Sequence, residues 1–242
     1  MNPQVSISEH EGVRYLHLGS AWVQGAMRID QPHKLELDYI QQMMMWRLFM
    51  DSPRHIVQLG LGAGALTRFC YEHFPNSDVT AVELNPDVVR ACRELFHLPP
   101  NDSRLTVSVQ CAAQYLRYVE PGSIDVLQVD LYGPEAHSPA LQETEFYEAC
   151  EQALSENGLL TVNLLGSPLV HATNLHRLQN CFGAVAWLPE SHDGNIVAIA
   201  FKTPPQIDFE VLYQRAADIA RDYGLPARQW VDDLYAWMAQ EE

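Results

Sequence analysis

The residues best placed to do chemistry lie where apolar runs end. Asp130 closes the run IDVLQVD and opens the loop LYGPEAHSP. A carboxylate at a strand end, followed by a Gly-Pro turn, can accept a proton or face a cation while the strand behind it fixes its position. Glu83 sits near the end of a second run, DVTAVEL. An acid there can accept both hydroxyl hydrogens of a ribose. The third element is GLGAG, which places Gly60, Gly62 and Gly64 between the run RHIVQLG and the helical spacing of LTRFCYEHF. Gly60 permits a tight turn, and Gly62 removes a side chain where a ligand edge would approach. The helix start that follows favours a carboxylate or phosphate. Strand, glycine turn, helix and a second strand ending in an acid, in that order, predict a nucleoside-type ligand across the strand ends. The competing reading is that the glycines serve helix–strand packing and that Glu83 is a solvated neighbour of a helix cap.

The dinucleotide fingerprint asks for a further glycine where this chain has Ala65. An adenosyl sulfonium, which needs no pyrophosphate cradle, fits better. Other chemistries find little support. The 5 cysteines, Cys70, Cys92, Cys111, Cys150 and Cys181, are widely spaced and form no C-x-x-C pair. They read as reduced thiols rather than a disulfide framework or zinc knuckle. His171 and His176 do not share a helical face, and no carboxylate completes a ligand set, so no metal site is expected.

The elements that must position these groups alternate. Strand-like runs at 54–60, 78–84, 104–110, 124–130 and 158–166 are separated by helix-like segments at 66–74, 86–96, 112–119 and 143–154. A helix at 168–182 and a β pair at 184–189 and 195–202 follow. Strands alternating with helices of this length predict an α/β fold: a Rossmann-like, doubly wound, mostly parallel seven-stranded sheet. The strands are continuously apolar, as expected where helices cover both faces. Three short strand-like runs within residues 4–30 predict a small N-terminal antiparallel β cap. HKLELDYIQQMMMWRLFM (33–50) predicts a helix leading into the first core strand; its methionine cluster reads as a buried face. Two more helices are expected at 207–222 and 226–240. The expected division is a cap over 1–32, a Rossmann-like nucleoside-binding catalytic domain over 33–203, and a C-terminal helical extension over 204–242.

Composition narrows the partners. The 242 residues are 47% hydrophobic, enough for a sizeable core. The net charge of −16, from 15 basic against 31 acidic residues, disfavours nucleic-acid binding. No apolar run is long enough for a membrane span, and the N-terminus lacks a secretory pattern, so a cytoplasmic location is expected.

Read together, these segments resemble the spermidine synthase (polyamine aminopropyltransferase) family. SISEHEGVRYLHLGSAWVQGAMRID resembles its N-terminal β cap, and LDYIQQMMM its Y-[QH]-E-M substrate helix. IVQLGLGAG resembles its VLIIGGGDG loop, VTAVELNPDVV its VEID segment, and VSVQCAAQYL its V-x-GDG segment. DVLQVDLYGP resembles its DVIITDSSDP strand and gate loop, whose length is kept into EFYEACEQAL. The resemblance implies aminopropyl transfer from decarboxylated S-adenosylmethionine to a small-molecule amine. Asp130 would orient and deprotonate the amine, and Glu83 would hold the ribose. Gly60, Gly62, Gly64, Cys111 and Ala112 would complete the cofactor site, and Gln41, Gln42, Tyr132 and Glu135 the acceptor site. The resemblance also implies a homodimer.

The chain departs from that pattern at several acids. The GGGDG acid is Ala63, the GDG acid is Cys111 and the second acid of the gate loop is Gly133. The tyrosine and glutamate of the substrate helix are Ile40 and Gln42, with Gln41 kept. Losing an anion opposite an ammonium weakens binding by a few kcal/mol, on the order of a hundredfold or more in affinity. Two other functions therefore stay open: a small-molecule methyltransferase using ordinary S-adenosylmethionine, and a non-catalytic binding protein on the same fold.

Overall fold

The computed structural model describes residues 3–134, 138–191 and 194–241. The first three strands, β1 (Val5–His10), β2 (Val13–Leu18) and β3 (Val23–Arg28), form an antiparallel sheet in that order. This is the expected cap.

A seven-stranded sheet follows, in the order β6-β5-β4-β7-β8-β10-β9. Its strands are β4 (His55–Leu59), β5 (Asp78–Glu83), β6 (Leu105–Val109), β7 (Ile124–Val129), β8 (Leu154–Leu165), β9 (Ala184–Trp187) and β10 (Asn195–Phe201). The pairs β4/β5, β5/β6, β4/β7 and β7/β8 are parallel, and β10 is antiparallel to both β8 and β9. The doubly wound, mostly parallel sheet predicted from the alternation is present. All six residues of β7 are buried, which is why its sequence shows no alternation.

Local signals set the helices. In α3 (Pro86–Leu95), the Asn85 side chain caps the N-terminus by accepting from the Asp87 N–H at 3.0 Å, with Pro86 in the first turn. Helices α2 (Ala65–His73), α4 (Ala112–Tyr118), α5 (Thr144–Ala153) and α6 (Pro168–Cys181) provide the other crossovers. In the last pair, α7 (Phe209–Tyr223) starts at the Asp208 cap, and Gly224 ends it in the left-handed region. Then α8 (Ala227–Glu241) packs back against β9.

The helix expected over 33–50 is only partly formed. It is α1 (Asp38–Gln42) followed by a 3-10 turn over Met45–Leu48. Met43, Met44, Met45, Trp46 and Leu48 are fully buried, so this segment is enclosed on all sides rather than amphipathic. The Met43 carbonyl accepts from Gln128 Nε2 and Thr161 Oγ1, both at 3.1 Å. These core side chains take a carbonyl that a continuous helix would use internally.

The crossover direction changes at β4, whose neighbours are β5 on one side and β7 on the other. Ligand crevices form at such switch points, beyond the carboxyl ends of the strands. Here the two strand ends touch. The Asp130 N–H donates to the Leu59 carbonyl at 2.9 Å, and Gly60 turns away with φ 93°. A Cβ at Gly60 would lie 1.9 Å from the Asp130 carbonyl oxygen. Gly60→Ala therefore combines backbone strain with a collision that no rotamer relieves. It should destabilise the protein by about 2 kcal/mol or more, read as a lower urea midpoint with an unchanged m-value.

Candidate active site

A cavity of about 1190 Å³ lies beyond the carboxyl ends of β4–β8, between the sheet and the cap. It falls at or above the usual size range of small-molecule sites. Among the described residues that line it, the only charged side chains are Glu83 and Asp130.

Glu83 ends β5. Its carboxylate accepts from the backbone N–H of Asn85 at 2.8 Å and of Leu61 at 3.1 Å. Burial pushes its pKa above the usual carboxylate range, and the N–H donors partly oppose this. The fixed carboxylate spans the glycine turn and the start of α3. Cys111 and Ala112, at the entry to α4, form the wall beside it. Ser138 lines the same cavity, and its buried hydroxyl has no partner among the described residues. Sequence reasoning passed over Ser138, because nothing in SPA separates a working hydroxyl from a turn residue.

The glycine turn has a different reason from the one its spacing suggested. A Cβ at Gly62 would lie 2.6 Å from the Gln24 carbonyl of β3, so it is the cap, not a ligand, that requires this glycine. The approach is mutual: a Cβ at Gly25 would lie 2.4 Å from the Ala63 nitrogen. Gly64 is the left-handed N-cap of α2. The cap is thus seated directly on the turn, and Ala63 is buried beneath it.

Asp130 is half-buried and lines the cavity. Asn163 Nδ2 donates to its Oδ1 at 2.9 Å, and the Tyr39 hydroxyl faces its Oδ2 at 3.4 Å. Asn163 is itself held by Asn195, whose Nδ2 donates to Asn163 Oδ1 at 2.7 Å. Burial raises the Asp130 pKa, and the two donors partly counter it. A partly desolvated carboxylate with two fixed partners suits a proton acceptor.

The acceptor residues expected from the sequence divide. Tyr132 lines the cavity, but its hydroxyl donates to the Asn163 carbonyl at 2.9 Å and accepts from the Leu165 N–H at 2.7 Å. It therefore braces the strand end. Gln41 and Gln42 do not line the cavity. Gln41 donates to the Leu35 carbonyl at 2.8 Å, and Gln42 Oε1 is buried. Their neighbours Leu37 and Tyr39 face the cavity instead. Glu135, with His137, lies outside the described residues.

The family model for the spermine/spermidine synthase domain matches residues 37–192. The chain belongs to the spermine/spermidine synthase family. It is 35% identical to a polyamine aminopropyltransferase of Chromobacterium violaceum, covering 96% of this chain and 89% of that protein. A probable spermidine synthase from Corynebacterium glutamicum has a similar structure, with a TM-score of 0.76 at 22% identity over 95% of this chain and 91% of that one. Human methyltransferase-like protein 13, in complex with SAH, shares the fold, with a TM-score of 0.70 at 21% identity over 77% and 92% of the two chains.

Within a synthase-family site, the raised Asp130 pKa has a consequence for stability. Its folded value exceeds its unfolded one, so its contribution is fully present below the unfolded pKa and is lost as pH rises through the folded value. Asp130→Asn keeps the shape and removes the desolvated charge. Its thermal midpoint should exceed that of the wild type at neutral pH, and the difference should vanish in acid; differential scanning calorimetry at the two pH values checks this.

Proposed function

We propose that this chain is an aminopropyltransferase that acts on an adenosyl sulfonium and an amine, with Asp130 as the base. The observation carrying this reading is Asp130 itself: a half-buried, hydrogen-bonded carboxylate in a cavity whose described charges are both negative.

The residues present suit a cationic nucleoside. Glu83 has the position and remaining acceptor capacity for the ribose hydroxyls, Cys111 and Ala112 wall the adenine side, and the Ser138 hydroxyl is available to the base. Decarboxylated S-adenosylmethionine is favoured over the ordinary form. The carboxylate of the ordinary form would enter a cavity already holding two carboxylates, at a coulombic cost. When bound, the sulfonium supplies an activated methylene carbon.

The chemistry asked of the chain is then modest. Asp130 aligns a neutral amine nitrogen with that carbon. The nitrogen–carbon bond forms as the carbon–sulfur bond breaks, and the bonding pair leaves on the sulfur of methylthioadenosine. Asp130 takes the proton that the nitrogen sheds. Tyr39 and Asn163 hold the carboxylate, and Asn195 holds Asn163.

Within this reading the enzyme is a cytoplasmic homodimer, with β3 of the cap as the contact; the exposed Val23 on that strand and Ile29 just beyond it support the choice.

Titration calorimetry tests the ligand. Decarboxylated S-adenosylmethionine should bind more tightly than the ordinary form, with methylthioadenosine also binding. A preference for the ordinary form would favour methyl transfer, and binding of none would defeat both. Asp130→Asn should lower kcat by roughly 10²–10⁴-fold with little change in affinity for the uncharged methylthioadenosine. In the wild type, kcat should fall as pH drops through the Asp130 pKa.

A further inference from the structure

Asp130 ends a short relay of amides. Asn195 Nδ2 donates to Asn163 Oδ1 at 2.7 Å, and Asn163 Nδ2 donates to Asp130 Oδ1 at 2.9 Å. Both asparagines are buried and line the cavity. The sheet register brings them together. On the antiparallel pair β8/β10, Asn163 lies opposite Val197 and Asn195 opposite Leu165, so the two asparagines are diagonal neighbours on one face. The main chain beside them is braced by the Tyr132 hydroxyl, which donates to the Asn163 carbonyl and accepts from the Leu165 N–H.

That brace fixes where Asn163 sits but not which way its amide turns. The two ends of a side-chain amide have nearly the same shape; the oxygen only accepts and the nitrogen only donates. Hydrogen bonding, not packing, must therefore choose the end that meets Asp130. An ionised carboxylate only accepts, so it requires the nitrogen. The Asn163 oxygen then points away and, being buried, needs a donor of its own. Asn195 supplies it. Without that donor the amide is free to turn its oxygen towards Asp130, an arrangement that favours the protonated acid because only the acid can donate.

We infer that Asn195 is a positioning residue: by fixing the orientation of the Asn163 amide, it keeps Asp130 in its ionised, proton-accepting form. The inference deepens the reading of Asp130 as the base, and its first test needs no turnover. Other titratable groups surround Asp130. Among the described residues, Tyr39 from α1 faces its carboxylate, and Tyr132 follows it in the chain. Glu83 of β5, Tyr15 of β2 and Cys111 before α4 line the same cavity. A double-mutant cycle confined to the relay cancels their common influence.

The Asp130 carboxyl is titrated by carbon-13 NMR in the free protein, its signal assigned by its loss in Asp130→Asn. Asn163→Leu removes the donor and should raise the Asp130 pKa by about one unit or more. Asn195→Leu should raise it by roughly half of that shift or more. In the Asn163→Leu background, Asn195→Leu should add nothing. No shift in Asn195→Leu, or the same shift with and without Asn163, overturns the inference. If the leucine variants do not fold, Asn195→Ser and Asn163→Ser, whose side chains are too short to span the relay, are read in the same way. A second readout separates the transfer reading: in Asn195→Leu the acid limb of kcat should move to higher pH by the shift seen in the titration. A shifted titration with an unmoved limb would leave the positioning role standing and overturn Asp130 as the base of the transfer.

Discussion

The site depends on one contact, the meeting of the β4 and β7 ends at the switch point of the sheet. The Asp130 N–H closes on the Leu59 carbonyl, and the Asp130 carbonyl fills the space a side chain at Gly60 would need. That close packing fixes the catalytic candidate relative to the glycine turn without any help from a ligand. The turn in turn carries the cap, through the Gly62–Gln24 and Gly25–Ala63 approaches. The floor, turn and roof of the cavity are therefore one packed unit, and shifting any of them shifts the carboxylate.

The cavity that results is electrostatically simple. Two carboxylates face it among the described residues, and burial raises the pKa of both. A desolvated anion is a cost in the empty protein and an asset once a cation arrives, because the same low dielectric that penalises the lone charge strengthens its pairing. Where family acids have become Ala63, Cys111 and Gly133, the chain has not placed new charges among the described lining residues. It instead concentrates the electrostatics at Asp130 and Glu83 and leaves the rest of the described wall uncharged.

Much of this was legible in the sequence, for physical reasons. Continuous apolar runs between helical segments gave the parallel sheet, and the acids at the ends of two runs marked the crevice. What escaped were contacts set by three-dimensional neighbours. Tyr39 precedes the position where the family motif has its tyrosine, and only the orientation of α1 shows which residue faces Asp130. Asn163 is a lone amide inside the run LLTVNLL. A buried amide must find partners, which is a signal, but neither Asp130 nor Asn195 could be named from spacing. The broken helix after Gln42 was hidden because its cause, the capture of the Met43 carbonyl by Gln128 and Thr161, comes from strands far along the chain. The glycines were read correctly as a turn, but the surface pressing on Gly62 is the chain's own cap.

The central claim is that Asp130 is a partly desolvated, proton-accepting carboxylate waiting for a cation. The most direct measurement is the binding enthalpy of decarboxylated S-adenosylmethionine in mildly acidic buffers of differing ionisation enthalpy. A cation seated beside Asp130 lowers its pKa, so binding should release protons, and Asp130→Asn should abolish most of that release. Binding with no proton release, or release unchanged in the variant, would contradict the account.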